Sequence, residues 1–209
     1  PNQFQALKDR VDIEFAPSSP EHFGISDNVR LRVHLKNVET LIVKVFEVNT
    51  LNYYLKHGTE VSTDLALDGL VTNHERTFDY KEAPQRRVPL DFKFPEIEDR
   101  RGVWIVEFIG GSKRSRAVIR KGRLDVLSAT SSGGEVITIL DETRKPAPGV
   151  AVWFGGRRYE CDEKGRTLIP FSNKPGTRTP VIEAPDGFAS LAHFQHSSES
   201  YQLHAGIRL

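Results

Sequence analysis

The sequence contains no methionine and only one cysteine, Cys161, among its 209 residues. A single cysteine cannot form an internal disulfide, so cysteine content gives no evidence for an oxidising compartment. No apolar run reaches the 18 or more residues that a membrane-spanning helix needs, and residues 1–10 are too polar to resemble a signal peptide. Because natural reading frames begin with methionine, we expect a processed chain or, as the favoured interpretation, a segment of a longer protein.

Charge of one sign is not in excess, because 29 basic residues are balanced by 28 acidic residues for a net charge of +1. Such a chain carries no global field that would draw it to nucleic acid or to a membrane surface. Hydrophobic residues make up 38% of the chain, which is enough to form a packed core. Any electrostatic function must therefore come from local clusters.

Long helical patterns are also absent, and the alternation of apolar and polar residues predicts β-strands along most of the chain. Residues 103–109 form the strongest strand pattern, and Gly110-Gly111 predicts a hairpin that pairs it with residues 115–119. Residues 3–9 and 50–57 are the only helical candidates. The other predicted strands are 11–16, 29–36, 41–48, 61–67, 76–80, 88–94, 136–140, 150–154, 167–169, 180–183, 189–195 and 201–209.

The pattern predicts an all-β chain of two consecutive immunoglobulin-like antiparallel β-sandwiches. We place the domains at residues 1–127 and 128–209, because the small polar residues of 128–134 are typical of a linker. The same residues are also compatible with a hairpin tip inside one domain. Trp104 and Trp153 are predicted to anchor the two cores.

The end of the first domain resembles a macroglobulin domain of the alpha-2-macroglobulin family. The polar turn at residues 95–102 leads into a strand containing Trp104, Val106 and Phe108, and a short turn returns the chain to a strand around Val118. The resemblance implies a structural module of a large bacterial-type protein of the cell envelope, the periplasm or the secreted fraction. The thioester of that family cannot be carried over, because Cys161 is followed by Asp-Glu-Lys instead of Gly-Glu-Gln.

The second domain resembles the transthyretin-like or carboxypeptidase-regulatory type of sandwich. The resemblance lies in the turn and strand residues Asp141, Pro146, Gly149, Ala151, Val152, Asp162 and Gly165. Bacterial macroglobulin-like proteins join both kinds of domain. The resemblance therefore implies a non-catalytic role in spacing and docking neighbouring domains of the same large protein.

Residues with catalytic or metal-binding chemistry are present but lie in no recognisable motif. His193 and His196 are three residues apart, which on a strand directs them to opposite faces instead of to one metal ion. The acidic pairs at Asp141 and Asp162 lack the spacing of a calcium loop, and Asp64 and the acids at 96–99 fit solvated loops. We therefore predict no catalytic, metal or cofactor site, and hold a hydrolase only as a remote alternative.

A basic stripe (Arg114, Arg116, Arg120 and Arg123) is the main candidate binding surface. Alternate residues of a strand share one face, so Arg114, Arg116 and Arg120, at even positions, form a stripe suited to a sulfated glycan, a phosphate-rich polymer or an acidic partner domain. The alternative is a solvated face whose arginines pair with the acids at 96–99. No aromatic residues interleave the run, which argues against nucleic acid.

Tyr53 and Tyr54 form a second candidate surface, because one of two adjacent aromatic residues is expected to be exposed. An exposed tyrosine ring can stack on a sugar, whereas a buried one would plug the end of the sandwich. The sequence therefore predicts a non-catalytic module, with carbohydrate or protein binding as the alternative. The expected partners are neighbouring domains, another protein or a glycan, with no membrane insertion.

Overall fold

The computed structural model describes residues 2–199 and the side chains of residues 5–199. This part of the chain divides into two compact units. The first comprises the chain up to Tyr53 together with Glu60–Arg123, and the second comprises Tyr54–Thr59 together with the chain from Leu124.

Both helical predictions are confirmed, by α1 (Asn2–Asp9) and α2 (Thr50–His57). A 3-10 turn (Pro95–Ile97) precedes the strand predicted at residues 103–109. Within residues 2–199, no helix combines the length and the apolar character needed to cross a membrane.

The first unit is a sandwich of two sheets. Its strands are β1 (Asp12–Phe15), β2 (His22–Phe23), β3 (Arg30–Lys36), β4 (Thr40–Val48), β5 (His74–Asp79), β6 (Val88–Lys93), β7 (Gly102–Gly110) and β8 (Lys113–Lys121). One sheet has the order β1-β3-β6 and the other β2-β8-β7-β4-β5. Neighbouring strands are antiparallel, except that the short β2 runs parallel to β8. The predicted hairpin of β7 and β8 is confirmed.

The core of the first unit lies between the inner faces of these two sheets. Alternate residues of β3, including Leu31, Val33 and Leu35, are buried there, as strand periodicity requires. Trp104 is 1% exposed and is among the largest fully buried side chains. Phe108 meets the Phe15 ring edge-on at 5.2 Å. The prediction that Trp104 anchors this core is confirmed.

The second unit has shorter strands and its own core. Its strands are β9 (Asp125–Ser131), β10 (Gly134–Leu140), β11 (Ala151–Phe154), β12 (Arg157–Glu160), β13 (Arg166–Ile169), β14 (Gly176–Arg178), β15 (Val181–Glu183), β16 (Ala189–Leu191) and β17 (Phe194–His196). The sheets have the orders β13-β10-β9, β12-β11-β15-β16 and β14-β17. The core cluster includes Ile137, Ile139, Val152 and Ile182. The all-β class is confirmed.

The sequence-based assignment of residues 128–134 as a linker is wrong. Ser128–Ser131 belong to β9, where Ser128 pairs with Ile137 and Ser131 pairs with Gly134 of β10. Small polar residues are suited to a linker and to a tight hairpin alike, and here the hairpin forms. The division between the two units lies at Arg123 and Leu124. The strand predicted at residues 201–209 lies outside the described residues.

Candidate interaction surface

A ladder of alternating charge crosses the outer face of the five-stranded sheet in the first unit. Arg116 of β8 is in register with Glu107 of β7, which pairs with Lys44 of β4, which in turn pairs with Glu75 of β5. Arg116 Nε donates to Glu107 Oε1 at 2.9 Å, and Lys44 Nζ lies 3.3 Å from Glu75 Oε2. Opposite charges on neighbouring strands stabilise the sheet, so this face serves a structural purpose.

Arg116 also fixes the chain that follows α2. Its Nη1 donates to the carbonyl oxygens of Leu65 at 3.0 Å and Thr63 at 3.3 Å. The planar guanidinium can serve a carboxylate and backbone carbonyls together, and Glu107 beneath it is only 5% exposed. Arg116 is therefore committed to contacts within the first unit.

Arg120 likewise makes its contacts within the first unit. Its Nη1 lies 3.0 Å from Glu21 Oε2, its Nε lies 3.5 Å from Glu60 Oε2, and its Nη2 donates to the carbonyl of Val61. The strand predicted at residues 61–67 is therefore wrong: carbonyls there accept hydrogen bonds from arginine side chains, and the segment forms no strand. The apolar–polar alternation of that segment gave no sign of these bonds.

The two other arginines of the basic stripe are exposed. Arg114 is exposed on the same face of β8 and makes no ion pair with a residue that the structure describes. Arg123 is exposed and follows the end of β8. Glu96, which the sequence offered as a partner for this stripe, instead has its Oε1 3.4 Å from Nη2 of Arg76.

Two adjoining clefts follow β8. One, of about 260 Å³, has both polar and apolar walls and is lined by Phe15, Ala16, Pro17, Ser19, Pro20, Glu21, Leu31, Thr63, Arg116, Ala117 and Val118. The other, of about 500 Å³, is polar and is lined by Thr63, Asp64, Glu107, Arg114, Ser115 and Arg116. Thr63 and Arg116 line both clefts, so the two are neighbours. We call the two clefts together the β8 groove.

Neither tyrosine of the pair is fully exposed, which fits the buried alternative better than a surface that stacks on a sugar. Tyr54 is 3% exposed, and Tyr53 is half-buried on the same helix, α2. The hypothesis that Tyr54 stacks on a sugar is wrong, because its ring offers no free face. The two tyrosines lie on a helix and not on the strand that precedes it, so helical spacing sets the directions of their side chains.

The second unit presents a surface cluster that sequence reasoning missed. Trp153 Nε1 donates to Glu183 Oε2 at 2.6 Å, and Arg158 Nε donates to the same oxygen at 2.8 Å. The hydrogen bond from Arg158 is the main reason that the pKa of Glu183 lies below its usual value, and the indole N–H assists. Trp153 is half-buried, so its prediction as a core anchor is wrong.

The carboxylates once considered for calcium hold turns instead. Asp141 Oδ1 accepts from the backbone N–H of Thr143 and Lys145 at 2.8 and 3.0 Å. Asp162 Oδ1 accepts from the backbone N–H of Lys164 and Arg166, each at 2.9 Å. In such Asx turns the backbone N–H groups occupy the Oδ1 acceptor of each aspartate. Within residues 5–199, no cluster of three or more His, Cys, Asp or Glu side chains is arranged to hold a metal ion.

His193, His196 and Cys161 lie in environments that fit a structural role. His196 is buried and its Nε2 lies 2.8 Å from the carbonyl oxygen of Pro170. His193 Nδ1 lies 3.1 Å from Thr179 Oγ1. Burial, with the nearby charge of Asp162, raises the pKa of the Cys161 thiol to about 11. A thiol with this pKa is almost entirely protonated near neutral pH, which argues against a reactive thiolate.

Comparison with known proteins adds a relative. Residues 41–122 match the family described as the AbpF first immunoglobulin-like domain. Over 208 residues, or 97% of this chain, the sequence is 41% identical to "Actin-binding protein F" of Dictyostelium discoideum. The chain spans only 9% of the length of that protein.

Solved structures of Escherichia coli alpha-2-macroglobulin share the fold. A fragment spanning domains MG0-NIE-MG1 aligns with a TM-score of 0.52 and 14% identity, covering 87% of this chain and 63% of that one. A fragment spanning NIE-MG1 aligns with a TM-score of 0.51 and 16% identity, covering 88% and 96%. The macroglobulin-like resemblance is confirmed for the fold, and the chain is built of immunoglobulin-like β-sandwiches.

Proposed function

We propose that this chain is a non-catalytic interaction segment of a much longer, actin-associated protein, where it spaces and docks neighbouring domains. The observation that carries the proposal is the 41% identity to Actin-binding protein F, which extends over 97% of the chain and so includes both units. Because the similarity extends over both units, it supports a function that involves both of them.

The geometry supports an interaction role over a catalytic one. Glu107 is held by Arg116, and Asp141 and Asp162 accept backbone hydrogen bonds in turns. A general acid or base must instead have a proton-transfer site within reach of a substrate. What the first unit offers to a partner is the β8 groove and the exposed Arg114.

Co-sedimentation with filamentous actin tests the actin part of this proposal. The full 209-residue chain, kept at low micromolar concentration, is centrifuged with increasing filament concentrations. We expect saturable pelleting that weakens as salt rises, because exposed charge contacts are screened. The Trp104→Ala variant, expected to lose the first unit, is the control. Pelleting that never exceeds that of serum albumin would reject actin as a partner.

Two further assignments are proposals that rest on the sequence. The second unit is assigned to the transthyretin-like or carboxypeptidase-regulatory type, supported by the turns at Asp141 and Asp162 and by the short strands around them. An envelope, periplasmic or secreted location, predicted from the macroglobulin resemblance, is the alternative to an actin-associated one, and the two exclude each other. Microscopy of the tagged parent protein in its own cells is the test.

A further inference from the structure

Two cations stand opposite each other on the outer face of the sheet β1-β3-β6. Arg30, the first residue of β3, is in register with Lys93, the last residue of β6. Both side chains point outward, because the next residues inward on their strands, Leu31 and Phe92, are buried in the core. Like charges in directly opposed positions destabilise a sheet. The pair therefore costs the first unit stability.

A carboxylate beside this pair, Asp91, is held by a third cation. Arg32 Nε donates to Asp91 Oδ1 at 2.8 Å, and Arg32 Nη2 donates to Oδ2 at 3.0 Å. Arg30 Nη1 comes only within 4.0 Å of Asp91 Oδ2, and Lys93 makes no ion pair with a residue that the structure describes. Three cations therefore share one anion at this end of the sheet.

The other acids of this outer face lie at its far end. Glu14 of β1 is in register with His34, which is four residues, or about 13 Å, along β3 from Arg30. Glu14 forms an ion pair with Arg87, and Asp12, opposite the last residue of β3, is further away still. The charges of these acids are thus too distant to neutralise the opposed cations.

The next acids along the chain on either side of the pair are also bound elsewhere. Asp27 Oδ2 accepts from a backbone N–H at 2.6 Å, and Glu96 Oε1 lies 3.4 Å from Arg76 Nη2. The side chain of Arg30 is 56% exposed, and Lys93 is exposed as well. Both cations are therefore accessible to a partner.

The outer face of the five-stranded sheet shows the opposite arrangement. Its ladder from Arg116 to Glu75 places opposite charges on every pair of neighbouring strands. The same unit thus follows the cross-strand charge rule on one face and departs from it at Arg30 and Lys93. Departures from such local rules are expected where a surface has a function.

We propose that Arg30, Arg32 and Lys93 form a docking site for a carboxylate-rich segment of a partner protein. The inference rests on the proposed role as an interaction segment and names the chemistry of the partner. Carboxylates fit because Arg32 already holds one in a two-point contact, which is the strong geometry for a guanidinium. The outward neighbours of the pair are charged, so the site offers neither rings that stack on bases nor apolar side chains that enter a bilayer.

An acidic peptide tests the binding. The probe is a fluorescent ten-residue peptide with glutamate at alternate positions, because Arg30 and Arg32 are also two residues apart on an extended strand. Its affinity for the full chain is measured at low salt, where exposed charges are least screened. Replacing Arg30 and Lys93 together by glutamine should weaken binding about fivefold or more. Replacing Arg157 and Lys164, two exposed cations of the second unit, is the matched control and should change affinity less than about twofold. Equal losses in the two double variants would overturn the inference.

Lys93→Glu separates binding from folding. The change places opposite charges on the two strands, so the melting temperature should rise by about 1–3 °C, while the affinity for the peptide should fall about fivefold or more. Misfolding cannot produce this combination. A melting temperature that does not rise would contradict the cost of the opposed cations, and an unchanged affinity would overturn the site.

Two other anionic probes test the class of partner. Heparin octasaccharide and vesicles containing phosphatidylserine are compared with the peptide on the full chain and on the Arg30 and Lys93 double variant. Tighter binding of either probe, lost in the double variant, would overturn the assignment to a protein carboxylate. Actin pelleting without peptide binding would reject this site alone, and peptide binding without pelleting would reject actin alone.

Discussion

The indole ring of Trp104 lies against the α-carbon of Gly102, two residues earlier on the same face of β7. A Cβ atom added at residue 102 would lie 2.6 Å from Cη2 and 2.8 Å from Cζ2 of the ring. These separations are well inside van der Waals contact. Gly102 is thus the residue that lets the largest side chain of the first core lie flat along its strand.

Gly102→Ala should therefore destabilise the first unit. Because the ring is fully buried and cannot move aside freely, we expect a loss of about 1–3 kcal/mol in the free energy of unfolding. Urea denaturation followed by tryptophan fluorescence measures it. Gly133→Ala, where the nearest atom is a Leu168 methyl at 3.4 Å, is the matched control.

A double-mutant cycle identifies the cause. Trp104→Ala alone should cost about 3–5 kcal/mol, and adding Gly102→Ala to that variant should cost little more, because the ring that opposes the new methyl group is gone. Additive losses would contradict the contact as the source of the effect.

Arg116→Ala should be more damaging than Arg114→Ala. Loss of Arg116 leaves the buried Glu107 carboxylate and two backbone carbonyls without their donor, at a cost of about 1–3 kcal/mol. Arg114 is exposed, so its replacement should change stability by less than about 0.5 kcal/mol. Thermal and urea unfolding of both variants compares them directly, and equal stability would contradict the committed role of Arg116.

Acid should weaken the turn at Asp162. Backbone hydrogen bonds from Arg166 and then Lys164 hold the pKa of this carboxyl below its ordinary value. A carboxyl with a lowered folded pKa contributes stability above its unfolded pKa of about 3.9, and the contribution is lost as pH falls through the folded value. Asp162→Asn should therefore show a shallower loss of stability on acidification below about pH 4. A steeper loss would contradict the assignment.

The Cys161 thiol should react slowly in the folded chain. With a pKa of about 11, only about one thiol in a thousand is ionised at pH 8, compared with about a quarter for an ordinary thiol. Reaction with a chromogenic disulfide should accelerate about tenfold for each pH unit between 7 and 10, and should become rapid in urea. A fast, pH-independent reaction in the folded chain would contradict the raised pKa.

The strands of both units could largely be predicted from sequence, because alternating burial leaves a direct trace in residues such as Leu31, Val33 and Leu35. The hairpin at Gly110-Gly111 could also be predicted, because paired glycines are typical of tight turns between strands. Lys121 shows where such patterns end: it belongs to the basic run, yet it is fully buried, and its Nζ donates to the carbonyl of Asp27 at 2.7 Å. Because the accepting carbonyl belongs to a residue far away in the sequence, nothing near Lys121 predicts that its side chain is buried.

The candidate surface was predicted less well than the fold. The spacing of Arg114, Arg116 and Arg120 correctly implied a shared face of β8. Whether each arginine is available depends on the segment that follows α2, whose carbonyls bind Arg116 and Arg120. Those contacts join residues more than fifty positions apart, so no local pattern contains them.

The parallel pairing of β2 with β8 determines how these two strands would come apart under load. Because both run in the same direction, pulling the start of β2 away from the end of β8 would slide one strand along the other. The bonds from Arg120 to Glu21 and from Gly122 to Phe23 would then be strained together and not one after another.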